Sequence, residues 1–253
     1  MGFLCNWCSY TGADLTGVSR IQYPPNIRVV RVMCSGRIDP AIVIEMFIHG
    51  YDGVFIGGCH LGDCHYEKGN YHAEKKGLIT TKLLEKVGIE PERFRIEWIS
   101  ASEGQKFADT VSEVVKTIRE LGKNPIYADG QQNLELLTRL YVARNVARDF
   151  RLRVIVGREM DLLDRGDAFQ RPVSEDKLHQ FYDRIIDMEF MRQQILLTTI
   201  DEPVSVKDIA TFIDEPSYMV LRHITTLLDR GLLTMVGMRD TSPLYFTSRE
   251  VFS

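Results

Sequence analysis

The chain of 253 residues has no cysteine after residue 64, and its five thiols occur as Cys5-Asn6-Trp7-Cys8, a lone Cys34, and Cys59-His60-Leu61-Gly62-Asp63-Cys64. Such confinement gives the thiols one local job and excludes a disulfide framework spread through the protein. Nor does any apolar run approach the roughly 20 residues a membrane span needs. No basic leader or signal-like apolar core precedes Cys5, so the expected location is cytoplasmic, with no membrane partner. A surplus of cations is missing too: 31 Lys and Arg face 35 Asp and Glu, a formal charge of −4. That removes the broad positive footprint of a general nucleic-acid binder. Internal repeats and low-complexity tracts are absent, and the composition is otherwise that of an ordinary globular protein. In a reducing compartment, a CxxC and a CxxxxC point to metal ligands or redox groups ahead of structural disulfides.

What is present in residues 1 to 122 is an alternation of strands and helices. Apolar runs end at each cysteine group: Phe3-Leu4 before Cys5, Val29 to Met33 before Cys34, and Val54-Phe55-Ile56 before Gly57-Gly58-Cys59. They read as buried parallel strands with the thiols at their carboxyl ends, the edge where open α/β sheets bind ligands. Helices are expected from Gly12 to Ser19, from Asp39-Pro40 to His49, from Tyr71 to Val87 stopped by Gly88, and from Ser102-Glu103 to Gly122, with a fourth strand at Arg93 to Ile99. The simplest architecture is an α/β, flavodoxin-like, doubly wound parallel sheet. Residues 123–175 read as a helical, arginine-rich connector, continuous from Asn133 to about Arg165. Residues 176–253 read as a winged-helix-like domain, with helices at Phe190 to Ile200, Val206 to Ile213 and Ser217 to Leu228, then strands at Thr234 to Met238 and Leu244 to Thr247.

Four thiolates around two irons is the usual ligand set of a [2Fe–2S] cluster, one fewer than the five cysteines available. Gly57-Gly58 and Gly62 would let backbone pass close to such a cluster. Zinc is the main alternative, since a CxxC with a second cysteine pair can close a tetrahedral site. A Rieske arrangement using His60 and His65 is disfavoured because each histidine directly follows its cysteine. A thiol–disulfide oxidoreductase is disfavoured because Ser9 to Gly12 intervene before the expected helix, and three cysteines are left without a role. The glycine-rich run 57–62 matches neither nucleotide fingerprint. Asp63 and Glu103 are read as turn and cap residues, and Trp7, Tyr66 and Tyr71 as groups that exclude water.

Longer stretches carry a resemblance. Cys5 to Asp14, Tyr23-Pro24-Pro25-Asn26, Val32 to Arg37, Gly58 to Tyr66 and Glu97 to Gly104 resemble the iron–sulfur delta subunit family of methyl-viologen-reducing (F420-non-reducing) hydrogenase. The resemblance implies a non-catalytic electron carrier with one [2Fe–2S] cluster. Its implied donor is a hydrogenase or formate dehydrogenase subunit, and its implied acceptor the flavin subunit of heterodisulfide reductase, in an electron-bifurcating complex of methanogens and related anaerobes. Cys5, Cys34 and Cys59 end strands and Cys64 follows the Gly62 turn, so these four are the expected ligands, leaving Cys8 as the spare or alternative. The extension after residue 122 departs from the family pattern and is expected to dock a partner. The competing class is an iron–sulfur redox-sensing transcriptional regulator with a DNA-binding winged helix. Against it, residues 190–253 carry six cationic and eight acidic side chains, and the expected recognition helix offers only Arg222 and His223.

Overall fold

A computed structural model describes residues 1–128 and 130–248. The chain forms two compact units, Met1–Leu178 and a second from His179 on. In the first, β1 (Gly2–Cys5), β2 (Val29–Val32), β3 (Val54–Gly58) and β4 (Phe94–Trp98) make a parallel sheet in the order β2-β1-β3-β4. Helices α1 (Ser9–Val18), α2 (Pro40–Ile48), α3 (Gly69–Val87) and α4 (Gly104–Leu121) alternate with them. β1 and β3 are buried throughout, as their apolar runs require. β2 is not: Val29 and Val30 are exposed because the strand lies at the sheet edge, with Arg28 before it and Arg31 within it, whose charges discourage further pairing.

The expected helix signals operate as read at two places. Asp39 accepts a hydrogen bond from the Ala41 amide ahead of Pro40, and Gly88 ends α3 in the left-handed conformation (φ 87°). α1 departs from expectation by starting at Ser9, directly after Cys8. The carboxyl end of α4 is held by the buried Arg93, which donates to the carbonyls of Leu121, Gly122 and Lys123 and to that of Asp52. One guanidinium thus occupies the carbonyls a helix end leaves open.

Beyond residue 122 the expected continuous helix is two helices, α5 (Leu134–Ala147) and α6 (Phe150–Arg165). Asp149 makes the break: its carboxylate accepts from the Arg151 and Leu152 amides and starts a new helix. α5 packs on α2 and α3, and α6 on α3. The second unit takes in most of α7 (Glu175–Thr198), with α8 (Val206–Ile213) and α9 (Ser217–Asp229). Strands β5 (Val204–Ser205), β6 (Thr234–Arg239) and β7 (Ser242–Phe246) form an antiparallel sheet in the order β5-β7-β6. α7 begins well before the Phe190 start that the sequence pattern suggests, and β5 is an addition to the expected pair of strands. Ile195, Ile209, Val220, Ile224 and Leu227 form the centre of this unit's core. Among the described residues, no helix is long and apolar enough to cross a membrane.

Candidate metal centre

Strand register brings the thiols together. Cys5 pairs with Val32 across β1 and β2, and Leu4 with Gly57 across β1 and β3, so the three strands end level with one another. Cys5 closes β1, Cys59 follows β3 and Cys34 lies two residues past β2. The strand order reverses between β1 and β3, and that carboxyl edge is where α/β sheets leave a crevice. Cys64 reaches the same edge through a turn in which Gly62 has φ 93°, a left-handed value that favours glycine.

The sulfurs fall into two close pairs. Cys5 Sγ lies 3.8 Å from Cys59 Sγ, and Cys34 Sγ lies 3.8 Å from Cys64 Sγ. A tetrahedral metal with bonds of roughly 2.3 Å to sulfur spaces its ligands about 3.8 Å apart. Both pairs therefore have the spacing of two ligands on one metal. Cys8 is the fifth: its sulfur and those of Cys5 and Cys59 all lie within 4.8 Å of one another. All five thiols are free, and only Cys34 is more than marginally exposed.

Their electrostatics describe what the protein alone can hold. Hydrogen bonds from Cys59 and then Cys8 pull the Cys5 thiol down to about 2. The bond to Cys5 chiefly pushes Cys59 up to about 12, bonds to Cys5 and then Cys59 drive Cys8 up strongly, and burial chiefly pushes Cys34 up to about 11. One thiolate is thus shared among three sulfurs. Ionising Cys8, Cys34 or Cys59 at neutral pH requires a cationic centre beside them, which is what thiolate-bound iron or zinc supplies.

The surroundings fit an iron–sulfur group. Ser35, next to Cys34, has a fully buried hydroxyl with no hydrogen-bond partner among the described residues, a donor left over for an acceptor such as a sulfide. The glycines act differently from expectation. A side-chain carbon at Gly57 would lie 2.7 Å from Ser9, and one at Gly58 2.6 Å from the Trp98 ring, so these two make room for protein. The glycine that makes room for sulfur is Gly69, at the start of α3, where a side-chain carbon would strike Cys34 Sγ and sit 3.0 Å from Cys64 Sγ. Gly69 escapes a sequence reading because it sits outside every cysteine motif.

Several other residues fix the ligand-bearing backbone. Ser9 Oγ accepts from the Cys5 amide at 3.0 Å and donates to the Gly57 carbonyl at 2.7 Å, joining β1 to β3. Buried Asn70 donates to the His60 carbonyl at 2.5 Å and the Cys59 carbonyl at 3.4 Å, tying the Cys59–Cys64 loop to α3. His60 Nε2 meets Glu103 Oε2 at 2.7 Å, and Glu103 also accepts from the Ser100 amide; that amide chiefly, then His60, lowers the carboxyl to about 2. His65 stacks on Trp7 with ring centres 3.7 Å apart. Among the described residues neither imidazole joins the cysteines in a group of three ligand atoms within 4.8 Å, which argues against a Rieske centre. The spacing argument against a dithiol oxidoreductase does not survive, since α1 starts directly behind Cys8; the gathering of Cys34, Cys59 and Cys64 replaces it. Asp63 is exposed and lines, with Trp7, Cys8, Cys59, His60 and His65, a cleft of about 250 Å³ that opens to solvent.

Comparison with known proteins matches this unit. Residues 1–122 fit the family described as methyl-viologen-reducing hydrogenase, delta subunit. The iron-sulfur subunit of the F420-non-reducing hydrogenase of Archaeoglobus profundus is 56% identical over 118 residues, 47% of this chain and 86% of that protein. The iron-sulfur subunit of the vhc F420-non-reducing hydrogenase of Methanococcus voltae is 53% identical over 122 residues, 48% of this chain and 85% of its own length. One subunit of the ferredoxin/F420H2-dependent heterodisulfide reductase of Methanosarcina acetivorans is 48% identical over 132 residues, 52% of this chain but 16% of that larger protein. With the five cysteines gathered at one sheet edge and the hydrogenase relatives matched over most of their length, the chain belongs to the methyl-viologen-reducing hydrogenase delta-subunit family.

Proposed function

We propose that this chain is a non-catalytic electron-transfer subunit carrying one [2Fe–2S] cluster on Cys5, Cys34, Cys59 and Cys64. It relays electrons from a hydrogenase or formate dehydrogenase to the flavin-containing subunit of heterodisulfide reductase, within an electron-bifurcating complex. The observation that carries the reading is the pair of sulfur pairs, each at 3.8 Å, which suits two metals taking two thiolates apiece. When bound, such a cluster takes up and gives back one electron at a time. The chain's own residues hold and shield it: Ser9 and Asn70 fix the ligand backbone, Gly69 leaves space at Cys34 and Cys64, and Ser35 offers a hydrogen bond. The relative in which this domain forms part of a heterodisulfide reductase polypeptide supports the choice of acceptor. Free thiols on a buried edge suit a cytoplasmic setting. We assign 1–122 to the flavodoxin-like iron–sulfur domain, 123–175 to the connector and 176–253 to a winged-helix-like interaction domain.

Anaerobically purified protein is expected to hold about two irons and two acid-labile sulfides per chain, the stoichiometry of that cluster. Stoichiometric zinc without sulfide would overturn the proposal. A second reading has its own observation, since Cys5, Cys8 and Cys59 together could serve one tetrahedral metal. Serine substitutions separate the two. The cluster reading expects Cys8→Ser to keep its metal and Cys34→Ser to lose it, and the mononuclear reading expects the reverse.

A further inference from the structure

The first unit contains a second concave site, away from the solvent cleft at Cys8 and Cys59. Its volume is about 540 Å³, and it lies between the turn after Cys34, the start of α2, the middle of α3 and the end of α5. Five cations line it: Arg37, Lys76, Arg144, Arg148 and Arg153. Two of them are already matched. Arg144 pairs with Glu45 at 3.2 Å and Arg153 with Asp39 at 2.9 Å. Those are the two carboxylates in the lining, and each has a second partner: Glu45 lies 3.4 Å from His49, and Asp39 caps α2.

Arg37, Lys76 and Arg148 remain, and none makes an ion pair among the described residues. Lys76 is the most informative. Its ammonium is half-buried and donates to the Gly36 carbonyl at 2.6 Å; burial chiefly presses its pKa down, the Asp39 carboxylate, already paired with Arg153, opposes this, and the nearby Arg153 and Arg37 guanidinium groups add to the lowering. A desolvated cation held among other cations is costly unless an anion joins it. Arg37 and Arg148 are exposed and open on the same cleft, so both can add forked donors to such an anion.

The geometry points to a binding site for a phosphate-bearing small molecule, with a diphosphate group held by Arg37, Lys76 and Arg148. A phosphate monoester carries roughly −1.5 to −2 charges and three acceptor oxygens at neutral pH. One such group therefore answers about two of the spare cations, and the next phosphate of a diphosphate answers the third. The volume lies within the roughly 300 to 1,000 Å³ usual for small-molecule sites, which favours a compact ligand over an extended acidic peptide. The site is composite. Arg37 and Lys76 come from the segment shared with the family, whereas Arg148 belongs to the extension. It therefore distinguishes this chain from relatives that end soon after the first domain.

The test is calorimetric titration of the full-length chain with inorganic pyrophosphate, with ATP and with a Glu-rich peptide, at constant ionic strength and against sodium sulfate. Saturable one-site binding of pyrophosphate is expected, weakened at least about tenfold by Arg37→Glu or Arg148→Glu, the loss of one charge-assisted hydrogen bond. Both positions are exposed, so iron content and thermal stability should match the parent protein. Lys76→Gln should weaken binding as well and serves as the buried counterpart. Tighter binding of ATP than of pyrophosphate would identify a nucleotide as the ligand, and equal binding a bare diphosphate. Three results would overturn the inference: no saturable pyrophosphate binding, binding that both charge reversals leave unchanged, or peptide binding in its place, which would reassign the cleft to a protein.

Discussion

Ser35 shows what sequence motifs leave out at the scale of single residues. The cysteines announce themselves by type and spacing, and their positions at strand ends follow from the apolar runs before them. Ser35, Gly69, Ser9 and Asn70 carry no such signal, because serine, glycine and asparagine are common in any loop and matter here only through three-dimensional neighbours. Ser35 is the sharpest case, a buried hydroxyl beside Cys34 with no hydrogen-bond partner among the described residues. Hydrogen bonds to sulfur tune iron–sulfur potentials, and a donor favours the reduced form, which carries the extra negative charge. Ser35→Ala is therefore expected to retain iron and sulfide but to shift the midpoint potential downward, with Ser35→Thr restoring most of it. Spectroelectrochemical titration reads the shift; an unchanged potential in the alanine variant would show the hydroxyl is not directed at the cluster.

Among the elements, the sheet and its four helices were legible because each rests on a local pattern: a short apolar run, a cap, or a glycine stop. The break between α5 and α6 was obscured by the apolar and arginine periodicity that runs through both, and only the cap at Asp149 divides them. The location of α5 has its own signal in the sequence of α2. α2 reads Pro-Ala-Ile-Val-Ile-Glu-Met-Phe-Ile, apolar nearly all round, and such a helix needs cover on more than its sheet-facing side. α5 supplies that cover, with Leu136, Leu140, Ala143 and Val146 buried. Ion pairs of Arg144 with Glu45, Arg153 with Asp39 and Lys75 with buried Glu159 add to the attachment. A chain ending at residue 122 should consequently be less stable and more prone to aggregate than one ending at residue 172, though both keep every cysteine. Thermal unfolding of the two proteins checks this, and equal midpoints would mean α5 and α6 add nothing. α9 yields a pH-dependent counterpart. Burial, then Arg192 and Arg222, lowers buried His223 to about 4 from an ordinary 6.5. The unfolded chain takes up the proton first, so stability is lost as pH falls from 6.5 towards 4 and levels off below. The full effect is on the order of 3 kcal/mol. Hydrogen exchange of α9 amides should show this slope in the parent protein and a flatter one in His223→Gln.

At the scale of the whole molecule, two facts bear on what the extension does. The hydrogenase iron-sulfur subunits match over most of their own length using only the first half of this chain, so what it shares with them ends before residue 179. The second unit nevertheless has a complete apolar core of its own, with Ile195, Ile209, Val220, Ile224 and Tyr245 buried. A folded module outside the shared segment is best explained by recognition. Nucleic acid is a poor candidate, because binding depends on neutralising several phosphates and residues 190–253 carry more acidic than cationic side chains. A protein surface suits it better, since Phe212, Tyr218 and Leu221 stand exposed on α8 and α9, and aromatic anchors of this kind concentrate binding energy in protein interfaces. Deleting residues 179–253 should therefore leave iron and sulfide content intact while weakening recovery of hydrogenase, formate dehydrogenase or heterodisulfide reductase subunits in anaerobic affinity purification. Phe212→Ser with Tyr218→Ser should reproduce most of that loss without disturbing the core, as both side chains are more than 70% exposed. Unchanged recovery after the deletion would remove docking as the second unit's purpose. Salt-sensitive, sequence-specific DNA binding that vanishes with the same deletion would replace it with the regulator.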